Sequence, residues 1–342
     1  MKKHMVSAMT VGAALVATAV GAAAPVSADS GAKGTGPVAS GLATITADVA
    51  RLDADADKAL EKYWTAARMS AAKPAEVLIK GTPKELPTQK VAKGTPGSAA
   101  PSGTAAERAN ETFRITGYPN WGPNHPTART VGKVFFTDPR NGLSYVCSAA
   151  VVNSEGKSTV WTAGHCVVND GVWMTNWIFV PAYKNGQRPK GTWRANQLWT
   201  TSGWFYDGNY SYDIGAVVMR RLNGQKIVNR LGGQGIKWNW GDLPRVTALG
   251  YPHAAPFNGQ RLYRVDGSTI SDPFTGGVDR YMINNMTGGS SGGPWLREFN
   301  GRYGYINGHN DYRYSSYPAY MWSPYYGSAA AGLYNAVRRL TT

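Results

Sequence analysis

Acidic residues are scarce in this chain of 342 residues: 21 Asp and Glu stand against 36 Lys and Arg, giving a formal charge of +15. That balance excludes an acidic tail and leaves secreted proteins, nucleic-acid binders and membrane-surface binders as classes. Cysteine is rarer still; 2 residues cannot build a disulfide scaffold or a four-cysteine zinc site. No spaced cluster of carboxylates speaks for a metal, so neither metal nor cofactor is expected. Long apolar runs are also missing, apart from one at the start. Glycine (41), tyrosine (19) and tryptophan (12) are plentiful, a composition of turns and aromatic packing that suits β-structure better than a helical bundle.

The one apolar run lies between Val6 and Ala24. It follows Lys2-Lys3 and precedes the small-residue site Val26-Ser27-Ala28, with Asp29 next. This is the layout of a secretory signal peptide over residues 1–28; a retained anchor fits less well, because the run is rich in Ala, Gly and Thr. The mature chain is therefore expected to be extracellular and monomeric, with neither membrane nor nucleic acid as partner, in a compartment where a cysteine pair can oxidise.

Residues 29–115 are rich in Ala, Lys, Pro and Thr. Within them Val49, Leu52, Ala56, Leu60 and Tyr63 recur on one helical face, which predicts a helix over Ile45–Ser70. After Pro74 the chain is punctuated by Pro and Gly and reads as an exposed linker. Helix and linker behind a signal peptide suggest a removable pro-segment, with a permanent helical appendage as the alternative. From residue 116 to 342 the texture changes. Val131–Thr137, Ser144–Val152, Thr159–Ala163, Trp177–Pro181, Ile214–Met219, Arg245–Gly250 and Tyr281–Asn284 read as strands, and Ser328–Leu340 as a closing helix. The pattern is that of an all-β sandwich or barrel.

Three motifs in this second part carry chemistry. Thr162-Ala163-Gly164-His165-Cys166 follows an apolar run, Tyr212-Asp213-Ile214 places a carboxylate at the head of a strand, and Gly288-Gly289-Ser290-Ser291-Gly292-Gly293-Pro294 sets a hydroxyl in a glycine-rich loop. Each alone has an ordinary explanation: a core histidine, a turn aspartate, a loop serine. Together, in the order His, Asp, Ser, they supply a general base, its orienting carboxylate and a nucleophile.

With these motifs the chain resembles the trypsin/chymotrypsin-like serine peptidases, particularly the bacterial branch containing glutamyl endopeptidases, from about Val131 to the C-terminus. The resemblance implies two six-stranded antiparallel β-barrels with a C-terminal helix. It also implies a triad of His165, Asp213 and Ser291, an oxyanion hole formed by the backbone N–H groups of Gly289 and Ser291, and a disulfide between Cys147 and Cys166. Trypsin-like enzymes carry an Asp before the serine that pairs with a freed N-terminus. Here that position is Ser290, so removal of a pro-segment would act by unmasking or by assisting folding. In the primary specificity pocket, Asn285 replaces the aspartate of trypsin-like enzymes and Met286 stands where a hydroxyl residue is frequent. His309 aligns with the histidine that binds an acidic side chain, and Tyr325 or Tyr326 reaches the pocket floor. His253 and His125 read as loop residues.

The expected activity is a secreted serine endopeptidase acting on proteins or peptides, with an acidic preference before the cut. Glu85, Glu107 and Glu111 would then be self-processing sites. Two alternatives are weighed beside it. Gly289-x-Ser291-x-Gly293 also fits an esterase nucleophile elbow, but that fold orders its triad Ser, acid, His. A non-catalytic binding module on a peptidase fold would be expected to lack a triad member, and none is missing.

Overall fold

Valine-rich and aromatic runs after Pro126 pair into a closed barrel. The strands Thr175–Pro181, Val131–Thr137, Ser144–Val151, Thr159–Thr162 and Gly215–Met219 neighbour one another, all antiparallel. Trp193–Thr201 then pairs with both Thr175–Pro181 and Gly215–Met219 and completes the circuit. The computed structural model describes residues 38–78, 94–103, 116–276 and 278–342. The expected signal peptide and Glu85, Glu107 and Glu111 lie outside the described residues. Among the described residues no helix is long and apolar enough to cross a membrane.

Both faces of the barrel wall are covered, which explains why Val131–Thr137 is buried at every position. Val134, Phe136, Val160, Phe179 and Leu198 fill the barrel interior. Val131, Ala150, Trp161 and Val218 face outward and pack on Leu249, Leu296 and Ile306 of the second half. A strand buried on both sides shows a near-continuous apolar run instead of alternation.

The second half is a seven-stranded sheet in the order Gly97–Ala99, Gly235–Trp238, Tyr305–His309, Pro294–Arg297, Arg245–Gly250, Tyr263–Ser268, Thr116–Gly117. Beside it lies a three-stranded sheet of Ile270–Ser271, Arg280–Ile283 and Tyr320–Ser323. This is the chymotrypsin-like double-barrel architecture, with departures from the all-antiparallel expectation: Gly235–Trp238 runs parallel to Tyr305–His309, and Lys73–Pro74 runs parallel to Tyr145–Val146. The closing helix spans Ser328–Val337 and buries Ala330, Leu333 and Val337 in the apolar layer between the halves. Cys147 and Cys166 are disulfide-bonded, tying a strand of the first barrel to the turn that carries His165.

Two expectations for the N-terminal part change. The predicted Ile45–Ser70 helix is broken into Ala47–Ala50, Ala56–Tyr63 and Ala66–Ala71, because Asp55 and Thr65 side chains cap new starts inside it. Leu52, placed on the apolar face, is exposed. Part of the expected linker is not a free tether either. Within it, Gly97–Ala99 adds to the sheet edge beside Gly235–Trp238; ahead of the helices, Val38–Leu42 likewise adds to Trp193–Thr201. Edge pairing needs only backbone donors and acceptors, so such short segments leave no side-chain periodicity to read. The helices dock through Val49, Leu60, Tyr63, Trp64 and Met69, which pack with Phe135, Val146 and Ile178 on the outside of the first barrel. Trp64 is fully buried and its Nε1 donates to the Asn176 carbonyl at 2.9 Å. Burying one such side chain contributes about 2–3 kcal/mol.

Candidate active site

His165 sits on the single turn Gly164–Cys166 that follows the strand Thr159–Thr162, and Asp213 directly precedes Gly215–Met219, the neighbouring strand. The barrel therefore brings the two together although 48 positions separate them. The grip is double. The His165 backbone N–H donates to Asp213 Oδ1 at 2.7 Å, and Nδ1 lies 2.7 Å from Oδ2. Both side chains are fully buried. Burial disfavours an imidazolium, but the adjacent Asp213 charge and its hydrogen bond outweigh that, and the His165 pKa is raised above the ordinary histidine range.

Ser291 comes from the second half. Its loop is fastened to the first barrel by Ser148, a residue that sequence reasoning passed over. The Ser148 N–H donates to the Ser291 carbonyl at 2.7 Å, while its Oγ donates to the Gly289 carbonyl and accepts from the Tyr251 N–H, each at 2.9 Å. Cys166 Sγ lies 3.8 Å from the Ser291 carbonyl oxygen, so the serine loop rests on the histidine turn. Gly289 and Gly292 have φ of +94° and +77°, in the region that favours glycine. At Gly292 a Cβ would also collide with Thr162 Oγ1 and the Ser148 carbonyl. His253 is a loop residue as expected; its N–H donates to the Gly288 carbonyl at 2.6 Å and backs the same loop.

Ser291 Oγ and His165 Nε2 are both buried, and neither has a hydrogen-bond partner among the described residues. The structure thus assembles the His165–Asp213 half and brings Ser291 to its edge without joining the two. A second carboxylate reaches this loop. Glu76, in the turn Ala75–Leu78, accepts a hydrogen bond from the Gly289 N–H at 3.0 Å, the donor expected to hold the oxyanion. Lys73–Pro74 leads it there by pairing with Tyr145–Val146. No sequence signal pointed to Glu76, because its partner lies 213 positions away.

The residues expected to set specificity are spread out. Asn285 is exposed, with Nδ2 3.5 Å from Tyr263 Oη. Met286 is buried and its Sδ receives Asn310 Nδ2 at 3.5 Å. His309 is buried on the opposite side of its strand, where Nδ1 lies 2.8 Å from Tyr326 Oη; burial pushes its pKa down to about 4. Tyr326 is also fully buried and accepts from Trp161 Nε1 at 2.8 Å, so it serves the layer between the halves. Ser290, in the place of the missing aspartate, keeps a buried Oγ with no partner among the described residues. Two further ionisable residues adjoin the site. Asp311 is buried with Oδ1 3.5 Å from His165 Nδ1. Arg313 donates from Nη1 to the Pro318 carbonyl at 3.1 Å, and the Glu76 charge acts on it.

Comparison with solved structures places this geometry. Protease Anisep from Arthrobacter nicotinovorans is 38% identical, with a TM-score of 0.61 over 66% of this chain and 100% of its own. A thermostable serine protease, AL20, from an extremophilic microorganism is 37% identical, with a TM-score of 0.58 over 62% of this chain and 97% of its own. A Glu endopeptidase solved in complex with MPD shares the fold at 17% identity and a TM-score of 0.53, covering 68% and 100% of the two chains. No protein-family model matches, and no curated protein does.

Proposed function

Because this chain belongs to the trypsin/chymotrypsin-like serine proteases, we propose that it is a secreted serine endopeptidase made as a latent precursor and selective for acidic side chains. The observation that carries the reading is the double hydrogen bond between His165 and Asp213, set beside an oxyanion-hole N–H that already holds a carboxylate. Ser291 Oγ attacks the substrate carbonyl and passes its proton to His165 Nε2. Asp213 fixes the tautomer and stabilises the imidazolium. The backbone N–H groups of Gly289 and Ser291 receive the charge that develops on the carbonyl oxygen, each worth about 3 kcal/mol. His165 then protonates the leaving amine, and water repeats the sequence on the acyl-enzyme.

Latency follows from Glu76. While its carboxylate sits on Gly289, a substrate carbonyl has no access to that donor, so residues 29–115 act as a pro-segment whose departure opens the cleft. The signal-peptide pattern of residues 1–28, together with the Cys147–Cys166 disulfide, supports export. The acidic preference draws on Arg313, whose Nε and Nη2 are buried without a partner among the described residues and which is the cation that meets the substrate carboxylate. His309, the residue expected from the sequence, is buried with Nδ1 on Tyr326 Oη. The test is secreted material sequenced at its N-terminus, then challenged with a mixed peptide library beside a Ser291→Ala control. Cuts after Glu or Asp that the control does not make are the expected result. Cuts after Arg or Lys, or none, would overturn the reading.

A further inference from the structure

Asp311 is a buried carboxylate that the Ser291–His165–Asp213 mechanism does not use. It follows the strand Tyr305–His309, and its Oδ1 lies 3.5 Å from His165 Nδ1 and 4.0 Å from His309 Nε2. One oxygen from it, one from Asp213 and a ring nitrogen of His165 lie within 4.8 Å of one another. Among the described residues, neither Asp311 oxygen has a hydrogen-bond partner and no arginine or lysine pairs with it. Asp213 already takes both nearby N–H groups of His165, the backbone one and Nδ1.

Two carboxylates this close in a dry site cannot both ionise beside a single imidazole. The surrounding hydrogen bonds decide which one keeps the proton. Asp213 receives two N–H donors, which favour its anion. Asp311 receives none. The groups facing it are His165 and Asp213 from the first barrel, His309 on its own strand, and the Tyr210 and Tyr326 hydroxyl groups that feel its charge. The tautomer of His309 also follows. Trp161 Nε1 only donates, so Tyr326 Oη accepts from it and turns its own O–H to His309 Nδ1. That leaves the hydrogen of His309 on Nε2, which lies 4.0 Å from Asp311 Oδ1 and makes no hydrogen bond to it.

We propose that Asp311 is a positioning residue of the catalytic base: a neutral carboxylic acid that donates its proton in a hydrogen bond to Asp213. Asp213 is thereby held in place and remains the sole anion that His165 meets. The inference rests on the serine-protease reading, and labelling of the wild type by a fluorophosphonate checks that reading separately.

The experiment compares Asp311→Asn and Asp311→Ala in the processed enzyme and reads His165 titration by NMR in the intact chain. Asparagine keeps an N–H donor at the same place, so it should retain kcat within about threefold and leave the His165 titration within about 0.3 pH unit. Alanine removes the donor and should lower kcat by about tenfold, with KM changed less than about twofold. If Asp311 were ionised, Asp311→Asn would remove a charge and lower the His165 midpoint by about one unit or more; that result, or equal loss of kcat in both variants, would overturn the proposal. An alanine variant with full kcat would overturn it as well. The NMR titration does not require turnover, so it stands even where a variant is poorly processed.

Discussion

The two halves of the molecule are built to different tolerances. The half that carries His165 and Asp213 is a closed barrel whose wall is buried on both faces and whose histidine turn is locked by a disulfide. The half that carries Ser291 is two sheets with a parallel pairing, and its serine loop is held chiefly through hydrogen bonds from Ser148 and His253. The His165–Asp213 pair is accordingly made in full, while Ser291 Oγ is not hydrogen-bonded to it. On the latent-precursor reading, such a site is completed late, when the segment that carries Glu76 is removed.

The largest effect that would sharpen this contrast is loss of either reacting group. His165→Ala and Ser291→Ala should each lower kcat by about 10⁴-fold or more, and the double variant should lose little beyond that, because the two halves contribute one unit. Additive losses, read from hydrolysis of a fluorogenic peptide, would break the picture of a shared site. Next comes the disulfide. Replacing both Cys147 and Cys166 by Ala opens a loop spanning 19 positions and should cost about 3 kcal/mol in denaturant unfolding. An unchanged midpoint would show that the first barrel does not depend on its staple.

The latent state gives a third comparison. Glu76→Ala in the full chain should raise the rate of Ser291 modification by a fluorophosphonate by about tenfold, since the lost hydrogen bond to Gly289 is charge-assisted. Equal rates would remove Glu76 from the account of latency. Ser148→Ala should act across the seam between the halves, lowering kcat by about tenfold with KM little altered, because two hydrogen bonds to the serine loop and one from Tyr251 converge on that residue and the two at its Oγ are lost.

Much of this arrangement was legible in the sequence, and for a physical reason. A base, its carboxylate and a hydroxyl loop demand particular residue types next to glycines and strand ends, so Thr162–Cys166, Tyr212–Ile214 and Gly288–Pro294 stand out in one dimension. Strands buried on two faces, such as Val131–Thr137, are also visible as apolar runs. What stayed hidden depends on three-dimensional meetings. Trp193–Thr201, which closes the barrel, mixes Arg, Asn and Gln with its apolar residues and shows no clean alternation. Glu76, Ser148 and Asp311 are ordinary residues in their local stretches and matter only through partners far along the chain. His309 was matched by alignment to a pocket, but the strand turns its side chain toward Tyr326, while Asn310 faces Met286.

The smallest expected effect is on pH dependence. On the proposed mechanism the neutral imidazole is the working base, so activity should fall as His165 gains a proton. Asp213 raises the His165 pKa, and the acid limb of kcat/KM should therefore have its midpoint above 6.5, the ordinary histidine value. A midpoint below that value would show that burial, not Asp213, governs the base in the working enzyme.

The central claim is that one hydroxyl in the second half becomes a nucleophile through a base in the first. Intact-mass and peptide mapping of the processed protein after fluorophosphonate treatment tests it most directly. A single adduct on Ser291, absent in the His165→Ala variant, is the predicted result. Peptide hydrolysis that continues with Ser291 unmodified, or an adduct that forms equally well without His165, would contradict it.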